Sequence, residues 1–347
     1  MKIAFLRDPL RHVDPDTETT LLLMYECYRR GHQVFFLESH DLYVCESRVV
    51  GRMHEIVANP GQVLPEYWRT AINCVENDKL VFEDICELDV LFLRKNPPLL
   101  HGVMEVLASV EDQVFMVNSL RGHHLGNSKL YTLNFPGVIP ETHVSRDPLR
   151  LRKVIDDFGG TMVMKPLQSF GGRGVIKVSA KDPENLNSLI NFYLGSSEYS
   201  RRQPIMVQEY LEAVRTEGDV RIMLLNGKFL GSLRRMPHGT DFRANINSGG
   251  MAMAHQMSPE EERICSLICD RLIRDGLYFV GIDVIGGKLI EVNCVSPGGL
   301  PRINRLNGLR LEIPVIDFIE DQVAERNYSR TSGQPLPRIT NSIANAG

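Results

Sequence analysis

The chain has 347 residues, more than one typical domain holds, and 43% of them are hydrophobic, enough for two or three cores. Its net charge of −4 and pI near 6.2 exclude the basic surface that general nucleic-acid binding needs. No uncharged stretch approaches the roughly 18 residues of a membrane span, and the apolar run after Lys2 ends at Arg7, too early for a signal peptide. Seven cysteines without paired CxxC spacing indicate reduced thiols, so a cytoplasmic protein with no membrane or nucleic-acid partner is expected.

Residues 3–6 read as a strand. Residues 17–30 read as a helix, with apolar positions at Leu21, Leu22, Met24, Tyr25 and Tyr28, and Gly31 closing it. Further short strands are expected at 34–37, 90–93 and 114–117, giving an α/β unit over residues 1–120. Residues 45–88, around the single tryptophan Trp68, have mixed polarity and receive no assignment. A middle region, 121–207, carries helices at 147–158 and 183–193 and a polar loop at 196–204. The last region, 208–327, opens with strands 220–225 and 228–233 around Asn226-Gly227, a dipeptide suited to a two-residue hairpin. A helix over 259–274 follows. Ser258 is its N-cap, Pro259 sits at its first position, and acids at 260–262 favour its positive end. The final helix spans 313–326. The tail, 328–347, is polar and expected to be mobile.

Two stretches carry chemistry. In the first, the apolar run 162–164 ends in Lys165, and Gly171-Gly172-Arg173-Gly174 leads into a β-like run at 175–178. Glycines let backbone N–H groups approach phosphate oxygens, and a lysine adds a point charge. The spacing matches neither GxxxxGK[ST] nor GxGxxG, and a strand follows rather than a helix. A β-hairpin flap over phosphates fits, and so does an ordinary glycine turn. In the second, residues 279–293 form two apolar strands joined through Gly286-Gly287. Alternation puts Glu291 and Asn293 on one face, with Asp283 meeting them from the partner strand. Three oxygen-bearing side chains there suit magnesium, which takes one or two carboxylates plus water and phosphate. A buried polar cluster satisfied by backbone, or a solvent-facing row, is the plainer alternative. Cys265 and Cys269 are expected in the core of the 259–274 helix, Cys294 points away from the acidic face, and the adjacent His123 and His124 cannot ligate one metal together.

Flap, isolated lysine and acidic hairpin together resemble the ATP-grasp ligases, and within them the bacterial glutathione synthetases. The resemblance covers about residues 1–325. It rests also on Leu93-Arg94-Lys95-Asn96-Pro97-Pro98, Asn127-Ser128-Lys129, Gln208-Glu209-Tyr210-Leu211, Gly218-Asp219-Val220-Arg221, Arg235-Met236-Pro237, Asn245 and Glu291-Val292-Asn293-Cys294-Val295-Ser296-Pro297. It implies a multi-domain α/β (α+β) fold of the ATP-grasp type. Residues 1–120 would be the N-terminal pre-ATP-grasp domain, 121–207 the central lid domain and 208–327 the C-terminal catalytic domain. ATP would lie between the last two. Lys129 and Lys165 would touch its phosphates, and Gly171, Gly172 and Gly174 would close over them. The backbone of Gln208, Glu209, Tyr210 and Leu211 would read adenine, and Asp219 would hold the ribose. Asp283, Glu291 and Asn293 would hold magnesium, or manganese in its place. Arg221, Arg235 and Asn245 would orient the acyl substrate and neutralise the transferring phosphoryl group. Arg243, Ser296, Gly298 and Gly299 would contact the substrate.

The implied reaction is peptide-bond formation between a small carboxylate donor and an amine through an acyl phosphate, with γ-glutamylcysteine and glycine as the family's pair. A homo-oligomer is implied as well. The chain departs from the family pattern after the metal strand. Ser-Pro-Thr and an acidic stretch are usual there, and this chain has Ser296-Pro297-Gly298-Gly299 followed by Arg302 and Arg305. Asn96 also replaces an aspartate. A changed loop allows a different amino acid, a small peptide or a protein C-terminus as substrate. A nucleotide-binding scaffold without ligase activity is the remaining alternative.

Overall fold

In the computed structural model, all residues are described except 12, 78–79, 98, 100, 170, 240–241, 245–248, 337–338 and 340–347. Three sheets organise the chain. The first contains β1 (Lys2–Leu6), β2 (Gln33–Leu37), β3 (Leu42–Cys45), β4 (Arg48–Glu55), β5 (Leu80–Asp84), β6 (Val90–Leu93) and β7 (Phe115–Val117), ordered β3-β4-β2-β1-β6-β7 with β5 paired to β4. β2, β1, β6 and β7 are parallel, and β3, β4 and β5 add an antiparallel flank. β4, β5 and the helix Leu64–Glu76 occupy the stretch that carried no assignment from sequence.

The second sheet is antiparallel, β10-β9-β11-β8, from β8 (Thr142–Ser145), β9 (Thr161–Pro166), β10 (Ile176–Ser179) and β11 (Ile205–Glu209). The glycine flap joins β9 to β10, as expected. The third, β14-β13-β12-β15-β16, is built from β12 (Asp219–Leu225), β13 (Lys228–Met236), β14 (Met251–Ala254), β15 (Phe279–Ile285) and β16 (Lys288–Asn293).

The helix Pro259–Arg274 starts as expected. Ser258 accepts from the Glu261 N–H, and Glu261 returns the bond to the Ser258 N–H at 2.8 Å. Cys265 is buried in its core face, whereas Cys269 is only partly buried, a correction to the core assignment of both. The last helix runs over Glu312–Ser332, past the expected end at 326. Arg326 and Arg330 donate to the carbonyls of Asp112 and Gln113, which ties the extra turns to the first sheet's side of the molecule. The expected mobile tail therefore begins with helix, and its residues 337–338 and 340–347 lie outside the described ones.

The first and last regions share a core. Phe5 stacks on Phe92 at 5.5 Å, and Phe92 meets Phe279 of β15 edge-on at 6.1 Å. Asn118, buried just after β7, donates to the carbonyls of Phe279 and Cys294 and accepts from the N–H groups of Tyr278 and Phe279. One side chain thus satisfies four backbone groups that the junction would otherwise leave unpaired.

In the following helix, Leu120–Gly126, His123 is fully buried, and burial, aided by the Arg94 charge, pushes its pKa down to about 3. The unfolded chain binds a proton near pH 6.5 that the folded state refuses, so stability falls as pH drops through that window. His123 should cost about 2 kcal/mol between about pH 7.5 and 5. Chemical denaturation of the unaltered protein against His123→Leu checks this. Parallel pH dependences for the two would remove His123 as the cause.

Candidate active site

The β15–β16 hairpin pairs Asp283 with Glu291 and Gly281 with Asn293. The expected trio does converge, and Asn293 Nδ2 donates to Asp283 Oδ2 at 3.2 Å. Neighbouring strands then bring cations. β12 sets Arg221 opposite Asp283, giving Nε–Oδ1 at 2.5 Å and Nη2–Oδ2 at 3.1 Å. β13 sets Arg235 opposite Asp219, and Arg235 binds both Asp219 oxygens, at 2.5 and 2.9 Å, as well as Asp283 Oδ1 at 2.9 Å. Lys129 Nζ lies 2.7 Å from Glu291 Oε1 and 2.7 Å from the Ser169 carbonyl.

Burial works to raise the Asp283 pKa, but Arg221 and Arg235 outweigh it and hold this carboxyl well below the usual range. At Asp219 burial, helped by the like charge of Asp283, outweighs Arg235 and Arg221 and lifts the carboxyl to about 6. Gly218 makes the junction possible. Its φ is +73°, and a Cβ there would sit 2.2 Å from the Arg235 carbonyl oxygen.

Two carboxylates and an amide oxygen are hard donors, and their places against positive charge are taken by guanidinium and ammonium groups. That chemistry fits a hard divalent cation completed by water and phosphate. Among the described residues no three His, Cys, Asp or Glu side chains are grouped for a metal, so a protein-only cage is not what this site offers.

A cavity of 100 Å³ lies between this cluster and the four-stranded sheet. Lys165, Gln208, Glu209, Tyr210, Leu211 and Asp219 line it with Val163, Val175, Ile285 and Ile290. Lys165 is 7% exposed, its Nζ bonds Gln208 Oε1, and burial lowers its pKa to about 8 against the pull of Glu291. Gln208 in turn donates to Thr142 Oγ1 at 2.8 Å. The Tyr210 ring packs against Phe242 and carries the Lys177 ammonium 3.5 Å from its centre. Gly171, Gly172 and Gly174 all have positive φ, between 63° and 73°, the left-handed backbone that only glycine takes without strain. Arg243 donates to the Gly172 carbonyl at 3.2 Å and lines this smaller cavity, so it stands beside the flap and apart from Ser296 and Gly298. Asp219, expected at the ribose, lines the cavity but turns both oxygens to Arg235.

A larger cavity, 560 Å³, meets the first at Lys129 and Glu291, which line both. Asn293, Arg221, Arg235, Ser296, Gly298 and Gly299 line it as well. Ser296 Oγ donates to the Arg94 carbonyl, the Gly298 carbonyl accepts from Arg221, and the Gly299 N–H reaches Thr19 Oγ1. Arg302 faces this cavity, whereas Arg305 is directed to the Asp16 carbonyl outside it. Asn245 lies outside the described residues. Sequence reasoning missed Arg7, Glu18 and Arg94 on the cavity wall. The signal available was their place at the ends of an expected strand or start of an expected helix.

Residues 1–122 match the family model of the prokaryotic glutathione synthetase N-terminal domain, and residues 128–308 match that of the prokaryotic glutathione synthetase ATP-grasp domain. The chain belongs to the prokaryotic glutathione synthetase family. It is a carbon–nitrogen ligase with the mixed α/β ATP-grasp fold, as the sequence resemblance implied, and the family implies use of ATP and a divalent metal. A glutathione synthetase of Nostoc sp. is 37% identical over 331 residues, 94% of this chain and 100% of that one. One of Thermosynechococcus vestitus is 38% identical over 323 residues, 92% and 99% of the two chains. The crystal structure of the D-cycloserine synthetase DcsG superposes with a TM-score of 0.61 at 13% identity, covering 91% of this chain and 99% of that chain. No helix among the described residues is long and apolar enough to cross a membrane.

Proposed function

We propose that this chain joins γ-glutamylcysteine to glycine at the expense of ATP, forming glutathione. The observation that carries the reading is the meeting of the two cavities at the Asp283, Glu291 and Asn293 hairpin, beneath Lys129 and Arg235. The lining of the smaller cavity, backbone of Gln208 to Leu211 and a buried lysine among apolar side chains, suits part of a nucleotide, the larger has room for a small acid, and the charges that a phosphoryl group needs lie at their junction.

In this reading the backbone of Gln208 to Leu211 faces adenine, Lys129 and Lys165 take the phosphates, and the Gly171–Gly174 flap excludes water. The four-stranded sheet that carries the flap acts as the lid. Asp283, Glu291 and Asn293 hold magnesium, or manganese in its place, which supplies charge neutralisation on the phosphate oxygens when bound. A carboxylate oxygen of the acid attacks the γ-phosphorus and the bond to ADP breaks. The amine nitrogen then attacks the acyl phosphate carbonyl, loses its proton, and phosphate departs. Arg221 and Arg235 lie where charge develops, and their planar forks suit two oxygens at a time. Arg243 steadies the flap. Ser296, Gly298 and Gly299 border the acid, and Asn245 completes the roles carried by the resemblance. No side chain is needed as a nucleophile, so the work is positioning and electrostatics.

Magnesium-dependent ADP release with γ-glutamylcysteine, with and without glycine, tests the reading, with the product confirmed by mass. Glycine-dependent turnover to glutathione is expected. Turnover only with a different acid and amine would move the choice of substrate to the loop around Ser296 and Arg302. Lys165→Met should raise the KM for ATP about 10- to 100-fold, the value of a lost charged hydrogen bond. An unchanged KM would take Lys165 out of the phosphate site. A homo-oligomer and a cytoplasmic location also follow from the resemblance, and light scattering checks the first.

A further inference from the structure

The larger cavity carries positive charge that ligation at the acidic hairpin does not use. β1 and β6 are adjacent and parallel, with Leu6 opposite Leu93. Each strand runs one residue further into an arginine. Arg7 and Arg94 therefore leave the carboxyl edge of the sheet side by side, on strands about 4.8 Å apart. The Arg94 N–H donates to the Leu6 carbonyl at 2.7 Å, which holds that register to its end. The carboxyl edge of parallel strands is where open α/β sheets receive ligands.

Both side chains are buried, 5% and 3% exposed. Arg94 lies over the rings of Phe92 and Phe279 and donates its Nε to Thr20 Oγ1 at 3.1 Å. Among the described residues, Arg94 Nη1, Arg7 Nε and Arg7 Nη1 are buried without a hydrogen-bond acceptor. Buried donors of this kind are rare in native proteins and call for a partner. Burial, with the Arg7 charge, lowers the Arg94 pKa to about 10. Glu18 is near, but its Oε1 lies 3.8 Å from Arg7 Nη1 and accepts from the Thr20 N–H at 3.1 Å.

We propose that Arg7 and Arg94 form a subsite for a second carboxylate of the acyl donor, with Glu18 beside them for an ammonium group on the same carbon. The cavity then selects a donor with an α-amino-acid head in addition to the carboxylate that is phosphorylated. The proposal rests on the reading of this cavity as the donor site. In γ-glutamylcysteine the head is the glutamyl α-carbon and the activated group is the cysteine carboxylate. Two guanidinium forks side by side offer parallel N–H donors that one carboxylate can bridge, which satisfies the orphaned groups and offsets the repulsion between them.

The test compares donors in the full-length protein with ATP, magnesium and glycine. γ-Aminobutyrylcysteine lacks only the α-carboxylate, and its KM should exceed that of γ-glutamylcysteine about 10- to 100-fold, with kcat nearly unchanged. In Arg7→Leu the KM for γ-glutamylcysteine should rise to meet that of the truncated donor. Glu18→Gln, which keeps the acceptor for the Thr20 N–H, should narrow the gap between γ-glutamylcysteine and glutarylcysteine, which lacks the α-amino group. No gap between donors in the unaltered protein, or an undiminished gap in a folded Arg7→Leu protein, overturns the subsite. Circular dichroism and ATP affinity establish folding. Should Arg7→Leu not fold, Arg7→Lys keeps the charge, loses the fork and must still narrow the gap. Failure of the functional reading shows separately, as no turnover of γ-glutamylcysteine by the unaltered protein. Calorimetric binding of L-glutamate against γ-aminobutyrate then decides. Preferential binding of glutamate supports the subsite, and equal or absent binding of the two rejects it.

Discussion

Glu291→Gln should lower turnover about a thousandfold, the scale of removing one preorganised charge from a phosphoryl-transfer site. The substitution is nearly isosteric, so it separates charge from shape. Glutamine keeps an oxygen for Lys129 Nζ, now 2.7 Å from Glu291 Oε1, and the lysine keeps the Ser169 carbonyl. What disappears is half of the carboxylate charge in the donor set, leaving Asp283 to hold a divalent ion with two neutral amides. Glu291 is only partly buried, whereas Asp283 sits deep between two arginines, so the cost should fall on catalysis and metal affinity rather than on folding. ADP release over a range of magnesium and manganese concentrations, with melting temperature alongside, measures both. Turnover within tenfold of the unaltered protein would sink the metal assignment.

Arg235→Met should act on stability first. Arg235 stands between Asp219 and Asp283 and touches both carboxylates. Removing one member of a buried ionic group leaves its partners uncompensated, which costs about 3–5 kcal/mol. The loss should depend on pH, and its sign can be worked out. Asp219 already holds its proton up to about 6, against an ordinary 3.8. A raised folded value contributes stability in full below the unfolded pKa and loses it as pH rises through the folded one. Without Arg235 the two carboxylates repel and Asp219 rises further. The folded variant then carries a proton that the unfolded chain lacks, so its deficit should be smallest near about pH 5 and grow towards about pH 8. Denaturant midpoints of the two proteins across that range check it. A deficit that does not change with pH would mean that Arg235 acts through packing rather than charge.

How much of this was legible before folding varies with the range over which the signal acts. Asn226-Gly227 announced its hairpin because both residues take positive φ, 46° and 73°, as a two-residue turn between twisted strands requires. The β3–β4 turn uses positive φ at Glu46 and Ser47, residues that advertise nothing of the kind, so that hairpin stayed hidden. The helix Leu64–Glu76 did carry a pattern. Its buried Tyr67, Ala71 and Cys74 recur at helical spacing, but charged and polar neighbours on the other faces obscured it. The last helix outran its expected end because Arg326 and Arg330 find carbonyls on a distant loop, and no local propensity reports that.

The amino-acid order by itself determined the acidic hairpin, the flap and the buried lysine, because strand alternation and glycine's backbone freedom act over a few residues. It also carried the family and, with it, the reaction. Tertiary structure alone decided which cations face those carboxylates and where the cavity wall becomes basic. Arg221 comes from 62 residues before Asp283, and Arg7 meets Arg94 across 87 residues of chain. Strand order and register make those neighbours, and register is set by the summed packing of whole sheet faces, a quantity that no short stretch of sequence contains.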